Sequence, residues 1–217
     1  ATLVFGACGL LASQSVGRVA GFSLMISSGT LLAAISFAQP AVTAGALFYV
    51  ATSTLGAAAL FLLSELVNRT RPPGADVLAV TAEAFDIDED EPGEQNGPAI
   101  PATMVVLGLS FLMCALLVAG LPPLPGFVAK FSLLTSVLGE TRSGVAWTFM
   151  AALLLSGLVS IVTLGRMGVM VFWGPERPSP RVLVSEMTPV VTLLELALAL
   201  TVAAGPAMRY FQAAAIA

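Results

Sequence analysis

Residues 115–130 read ALLVAGLPPLPGFVAK, and the rest of the predicted architecture follows from this stretch. Its centre carries Pro122, Pro123, Pro125 and Gly126. Proline has no backbone N–H to donate, and its ring clashes with the preceding helical turn, so one continuous helix cannot run through these residues. The sequence therefore predicts a helix that breaks here and resumes with a short apolar run. The only lysine of the chain, Lys130, follows Gly126 by four residues.

The composition around this break is that of a membrane protein. Of the 217 residues, 57% are hydrophobic and 10% are charged, and the mean hydropathy is +0.95. Soluble domains carry roughly 25% charged and about 45–50% apolar residues. The surplus of apolar residues is therefore surface that faces lipid, and the predicted fold class is all-α, a polytopic transmembrane helical bundle.

Apolar runs long enough to cross a bilayer, about 20 residues each, divide the chain into about six spans. The runs are residues 1–11 (incomplete), 19–37, 41–67, 100–121 together with the short 127–138, 144–173 and 187–208. The predicted organisation is thus transmembrane helices 1–3 in residues 1–67, an acidic loop in 68–99, a broken transmembrane helix in 100–140, and the last two transmembrane helices with a C-terminal tail in 141–217.

The arginines predict the orientation, since basic residues in short loops favour the cytoplasmic side. If the broken helix makes one net crossing, six arginines lie on one side and two on the other. The six are Arg18, Arg69, Arg71, Arg166, Arg177 and Arg181, and the two are Arg142 and Arg209. The acidic loop is then cytoplasmic. Two full crossings in the broken region would weaken this asymmetry.

Metal, redox and nucleic-acid chemistry have little support in the sequence. The acidic run that begins at Asp86 lacks the glycine and terminal glutamate of an EF-hand loop, so we expect solvated charge there and no calcium site. Cys8 and Cys114 lie in apolar runs, and the chain has no histidine, so we expect no metal site and no cofactor. No basic stripe indicates nucleic acid. Without a histidine base, the serines do not predict nucleophilic catalysis, so we expect no enzyme.

Lys130 is the residue that this sequence marks for function. A charged side chain within a bilayer is costly, and burial disfavours the charged form of a lysine, which can then take up and release a proton. Arginine would stay charged, so the residue type suits a proton carrier. The alternative is that Lys130 extends along the helix to place its ammonium group at the membrane interface.

Polar residues in the second and third spans suggest a path to this lysine. Ser27 lies in the second span, and Thr52 and Ser53 lie in the third. Their hydroxyls form a candidate hydroxyl and water path, although such residues are also common where helices pack closely. Glu65, near the end of the third span, is a candidate proton entry point or an interfacial charge.

The break also resembles a known family. Residues 120–130 fit G-x-P-P-x-x-G-F-x-x-K, the broken-helix motif of the antiporter-like family, which includes the large membrane subunits of complex I and the A-type and D-type subunits of Mrp-type (Pha/Mnh) cation/proton antiporters. Residues 17–23, 28–32, 58–66, 75–80 and 100–104 are similar to the D-type subunit in particular. The resemblance covers nearly the whole chain.

This resemblance implies more than the residues alone do. It implies the C-terminal half of a D-type subunit: the second of two inverted repeats plus the last helix, beginning within a longer protein. Lys130 matches the lysine or glutamate of that repeat's broken helix. No histidine relay can be carried over, because this chain has no histidine. The implied setting is the bacterial cytoplasmic (inner) membrane, in a complex with A-, B-, C-, E-, F- and G-type subunits that moves protons against Na⁺ or K⁺.

Two other functions remain open on the sequence. The chain could be a proton-pumping subunit of complex I or of a membrane hydrogenase, where the same residues would do the same chemistry with another energy source. It could also be a membrane scaffold through which nothing is transported, although the break and its lysine argue against this.

Overall fold

The computed structural model describes residues 1–69, 102–140, 143–172 and 184–216, and these residues form helices without any strand. The helices are α1 (Thr2–Ala12), α2 (Val16–Ile35), α3 (Pro40–Arg69), α4 (Ala102–Ala119), α5 (Pro125–Glu140), α6 (Gly144–Phe172), α7 (Val184–Val202) and α8 (Ala204–Ile216). The acidic run, where we expect solvated charge and no calcium site, lies outside the described residues.

Four helices are long and apolar enough, by length and composition, to cross a membrane alone. They are Val16–Ile35, Pro40–Asn68, Gly144–Phe172 and Ser185–Val202. Helices α1, α4 and α5 are apolar but shorter. The expected all-α bundle with one discontinuous helix is therefore confirmed, and the six expected spans correspond to four long helices, the short α1 and the α4–α5 pair.

The last expected span, residues 187–208, is wrong as a single helix. Helix α7 ends at Val202, and α8 begins at Ala204. Pro206 has no N–H to donate to the carbonyl of Val202, so the regular bonding of the helix is lost at this point. Hydropathy alone does not report this change, because residues on both sides of Ala203 are apolar.

Helix α3 is the centre of the bundle and contacts α2, α4, α5, α7 and α8. Small residues on α3 let the two halves of the broken helix approach closely, as is common where membrane helices pack. A Cβ atom at Gly45 would lie 3.2 Å from Ser132 Oγ of α5, and one at Gly56 would lie 3.3 Å from Leu117 Cγ of α4.

Two buried clusters show how the halves of the broken helix are arranged. The Arg18-end cluster lies where α1 ends and α2 begins, and it includes Leu107 and Cys114 of α4. The Pro40-end cluster lies where α2 ends and α3 begins, and it includes Ala129 and Val137 of α5. Helices α4 and α5 therefore occupy opposite ends of the bundle, one after the other.

Helix α6 runs beside both clusters. Near its start, Phe149 packs on Phe37 at the Pro40 end, with ring centroids 5.6 Å apart. Near its other end, Arg166 donates hydrogen bonds to the carbonyl oxygens of Leu11 (3.0 Å) and Ser13 (3.1 Å). The guanidinium group thus satisfies carbonyls that the end of α1 leaves without helical donors and ties α6 to α1.

A substitution of Gly126, at the start of α5, tests how closely α4 and α5 must approach. An added Cβ would collide with the backbone carbonyl oxygen of Leu117, which cannot move without shifting the end of α4. We expect Gly126→Ala to destabilise the protein by about 1–3 kcal/mol, as overpacking usually does. The measurement is the thermal unfolding midpoint of the intact membrane complex that contains this chain.

Gly139→Ala, in the same helix, is the matched control. Among the described residues, no atom outside its own helix backbone lies within 4 Å of an added Cβ at Gly139, so the midpoint of this variant should stay the same or rise, because alanine is the better helix former. Equal midpoints for the two variants would contradict the close approach of α4 and α5.

Candidate functional site

The site begins where α4 ends. Gly120 adopts a φ of 76°, and the N–H groups of Gly120 and Leu121 both donate to the carbonyl oxygen of Leu116 at 3.0 Å. A glycine with positive φ is the common way to end a helix, because other residues resist this conformation. Pro125 then occupies the first position of α5, where a missing N–H costs no hydrogen bond.

Because α4 ends here, its last carbonyl oxygens receive no hydrogen bonds from helical N–H groups. The ammonium group of Lys130 donates hydrogen bonds to them instead. Lys130 Nζ donates to the carbonyl oxygens of Ala119 at 2.7 Å and Val118 at 3.3 Å. A cation is favourable at a helix C-terminus, where the aligned peptide dipoles place partial negative charge. The partly buried lysine of α5 therefore holds the end of α4.

Glycines make the room that the ammonium group needs. A Cβ at Gly120 would lie 2.7 Å from Lys130 Cδ, which is too close for real atoms. On α6, a Cβ at Gly157 would lie 3.9 Å from Lys130 Nζ. The lysine side chain therefore passes directly over the break and ends beside α6.

A small cavity lies against Lys130, between α2, α3, α4 and α5. Its volume is about 20 Å³, enough for one water molecule. Hydroxyl groups from two helices line it together with the lysine. The polar lining residues are Ser23, Ser27, Tyr49, Thr52, Ser53 and Lys130.

The hydroxyls of the cavity differ in their partners. Tyr49 Oη donates to Ser27 Oγ across α3 and α2 at 3.4 Å. Thr52 Oγ1 and Ser53 Oγ donate to backbone carbonyls of their own helix, those of Tyr49 and Val50. Ser23 Oγ is buried and has no partner among the described residues. Because a buried hydroxyl is normally hydrogen-bonded, Ser23 indicates where a water molecule would bind.

The structure brings together most of the residues that the sequence suggested. Ser27, Thr52 and Ser53 line one cavity with Lys130, and Gly126 lies beside them. Pro122 and Pro123 are exposed and Pro125 is buried. Glu65 is exposed and does not line the cavity. It follows Thr52 by 13 residues along α3, which is about 20 Å of helix.

Two residues of the cavity were missed by the sequence interpretation, Ser23 and Tyr49. Helical spacing could have indicated both. Ser23 precedes Ser27 by four residues and Tyr49 precedes Thr52 by three, so each pair shares a helix face. Within residues 1–69, 102–140, 143–172 and 184–216, no group of three or more His, Cys, Asp or Glu side chains could hold a metal ion.

Comparison with known proteins gives the same family as the motif. No protein-family model matches the chain. It is 53% identical, over 99% of its length, to the D-type subunit of a probable K⁺/H⁺ antiporter of Rhizobium meliloti, of which it covers 41%. It is 27% identical to the D-type subunit of the Na⁺/H⁺ antiporter of Bacillus subtilis, over 83% of this chain and 32% of that protein.

More distant similarities extend to complex I and to a solved structure. The N-type subunit of the NADH-quinone oxidoreductase of Nitrosomonas europaea is 26% identical over 92% of this chain and 37% of that protein. The fold matches a chain in the structure of the Mrp complex from Dietzia sp., with a TM-score of 0.75 and 17% identity, over 99% of this chain and 45% of that one.

These relatives and the apolar helices agree with a multi-pass bacterial membrane protein. The chain spans less than half the length of the curated relatives that it matches. The resemblance to the D-type subunit of the Mrp-type cation/proton antiporters, within the antiporter-like family that also includes subunits of complex I, is therefore confirmed.

Proposed function

We propose that this chain is the proton-carrying part of a monovalent cation/proton antiporter subunit, with Lys130 as the group that binds and releases the proton. One observation carries the proposal: Lys130 Nζ lies at the break of a discontinuous helix and borders a cavity lined by hydroxyl groups. Discontinuous helices mark ion sites in many transporters.

The contacts of Lys130 fit a group that exists in two protonation states. As an ammonium group, it donates to two carbonyl oxygens at the negative end of α4. The neighbouring residues of α5, Ala129 and Leu133, are buried and apolar, and the hydrogen bonds of the lysine go to backbone carbonyls. Two of the three ammonium protons are donated to these carbonyl oxygens, so the third is the one available for transfer.

The cavity supplies a short route for that proton. Tyr49 and Ser27 already share a hydrogen bond, and one water molecule in the cavity would bridge Ser23 and Lys130. Hydroxyl groups both donate and accept, so a chain of them can pass a proton and then reorient. This set, with Thr52 and Ser53, would serve in place of a histidine relay.

The wider setting rests on the relatives and is part of the proposal. We infer that α4 and α5 together cross the membrane once, that the acidic loop is cytoplasmic, and that Glu65 lies near the proton entrance. The complex would contain A-, B-, C-, E-, F- and G-type subunits and would exchange protons for Na⁺ or K⁺. The proposed activity is transport, without covalent catalysis and without a cofactor.

A second candidate is a proton-pumping subunit of a redox complex. It is favoured by the similarity to the N-type subunit of NADH-quinone oxidoreductase, over nearly the same residues but at half the identity of the antiporter relative. The lysine would do the same chemistry there. Copurification of the chain with small Mrp-type subunits, or with iron–sulfur subunits, distinguishes the two.

Substitution of Lys130 tests the carrier directly. In inside-out vesicles that contain the intact complex, we expect Lys130→Ala to lower proton flux driven by Na⁺ or K⁺ by about a hundredfold or more, the order of a lost acid–base group. Lys130→Arg should also be inactive, because arginine keeps its charge, although it can still bond the α4 carbonyls. Fluorescence quenching of a pH-sensitive dye measures the flux.

Assembly must be intact in both variants, and size-exclusion chromatography of the solubilised complex checks this. Normal flux in either assembled variant would exclude Lys130 as the carrier. Normal flux in both, with loss of assembly when α7 is disrupted, would favour a scaffold.

Tyr49→Phe tests the hydroxyl route without changing the lysine. It removes only the Oη atom that bonds Ser27, so we expect the flux to fall about tenfold, as the loss of one hydrogen bond in the path would give. Tyr210→Phe is the matched control, because Tyr210 is 71% exposed on α8 and lies outside the cavity. Equal flux in these two variants would remove Tyr49 from the path.

A further inference from the structure

Helix α7 has one face that packs on the bundle and one that does not. Met187, Val190, Leu194 and Ala197 are buried against the rest of the chain. Five of its exposed residues follow alternating spacings of three and four along the opposite face, and we name these five the outer stripe; the exposed Leu196 and Leu198 lie beside it. The outer stripe is Ser185, Thr188, Thr192, Glu195 and Ala199.

The outer stripe is unlike a surface that faces lipid. On α6, the exposed face carries large apolar side chains, such as Leu154, Leu158 and Val162. The outer stripe instead carries hydroxyls, an alanine and a carboxylate. Small and hydroxyl-bearing residues are enriched where membrane helices pack together, and spacings of three and four are those of a helix–helix seam.

Glu195 is the charged residue of the outer stripe. It lies ten residues after Ser185 and seven before Val202, so it is about 15 Å and about 10 Å from the ends of this candidate span. It is exposed, and no hydrogen bond or ion pair joins it to any residue that the structure describes. A carboxylate at that depth cannot be solvated by lipid, and such residues face partners inside the membrane.

We propose that the outer stripe of α7 is the docking face for a transmembrane helix of a partner subunit, which places an arginine or lysine side chain at the level of Glu195. A basic side chain on the partner is favoured because it would pair with the Glu195 carboxylate. A second copy of this chain, packed symmetrically through the same stripe, would bring two Glu195 carboxylates together and is disfavoured. The proposal requires only that α7 spans the membrane and does not depend on Lys130.

Site-directed photocrosslinking in the intact complex tests where the partner lies. Benzoylphenylalanine placed at Thr192 or Ala199 should crosslink to one other subunit, and mass spectrometry should identify a transmembrane segment that contains an arginine or lysine. The hydroxyl of Thr192 bonds the carbonyl of Pro189 in its own helix, so its replacement changes little in the bundle. The same probe at Leu158 of α6 is the control and should yield no subunit crosslink.

Charge reversal tests the role of Glu195 itself. We expect Glu195→Lys to reduce the recovery of the crosslinked subunit with the complex about tenfold, and reversal of the partner's basic residue to restore it. Glu195→Gln should retain most of the subunit, because an amide oxygen still accepts a hydrogen bond from the partner.

Several results would overturn the proposal. They are crosslinks from Thr192 and Ala199 only to lipid, crosslinks to a second copy of this chain or to another segment of its own polypeptide, a partner segment without a basic residue, and full subunit recovery with Glu195→Lys. Because the crosslinking variants keep Glu195, they remain decisive if Glu195→Lys does not assemble.

Discussion

The hydrogen bonds from Lys130 to the carbonyl oxygens of Ala119 and Val118 join the two halves of the broken helix, around which the rest of the bundle packs. A helix that ends inside a membrane leaves carbonyls that lipid cannot satisfy. A lysine that lies inside a membrane needs acceptors that lipid cannot supply. In this chain the ammonium group of Lys130 donates to carbonyl oxygens at the end of α4, so one contact meets both requirements.

The packing around the pair follows from the space that it requires. Gly120 and Gly157 leave room for the lysine side chain, and Gly126 lets α5 start directly against the end of α4. Helix α3 accommodates both halves of the broken helix through Gly45 and Gly56. The glycines near the break are therefore explained by close contacts, and general flexibility is not needed to explain them.

The sequence predicted the class of the fold, the position of the break and the special position of Lys130, because each depends on local chemistry: apolar length, missing proline donors and the cost of a buried charge. It also suggested Ser27, Thr52 and Ser53, which the structure brings into one cavity. It did not identify Ser23 and Tyr49. A single sequence cannot separate a hydroxyl that faces a cavity from one that packs between helices, since this depends on how α2 is rotated against α3.

The end of α7 at Val202 was missed because one absent donor at Pro206 does not change hydropathy.

The two buried clusters have an electrical consequence. The Arg18-end cluster and the Pro40-end cluster lie on either side of Lys130, and both are apolar. A voltage across the membrane falls mainly across such layers of low polarisability, and the thin polar layer between them carries little of it. Moving one charge through a full 100 mV takes about 2.3 kcal/mol. If Lys130 carries the proton as proposed, a proton held there has crossed only one of the two layers, and the depth of the helix break divides this electrical work between proton uptake and proton release.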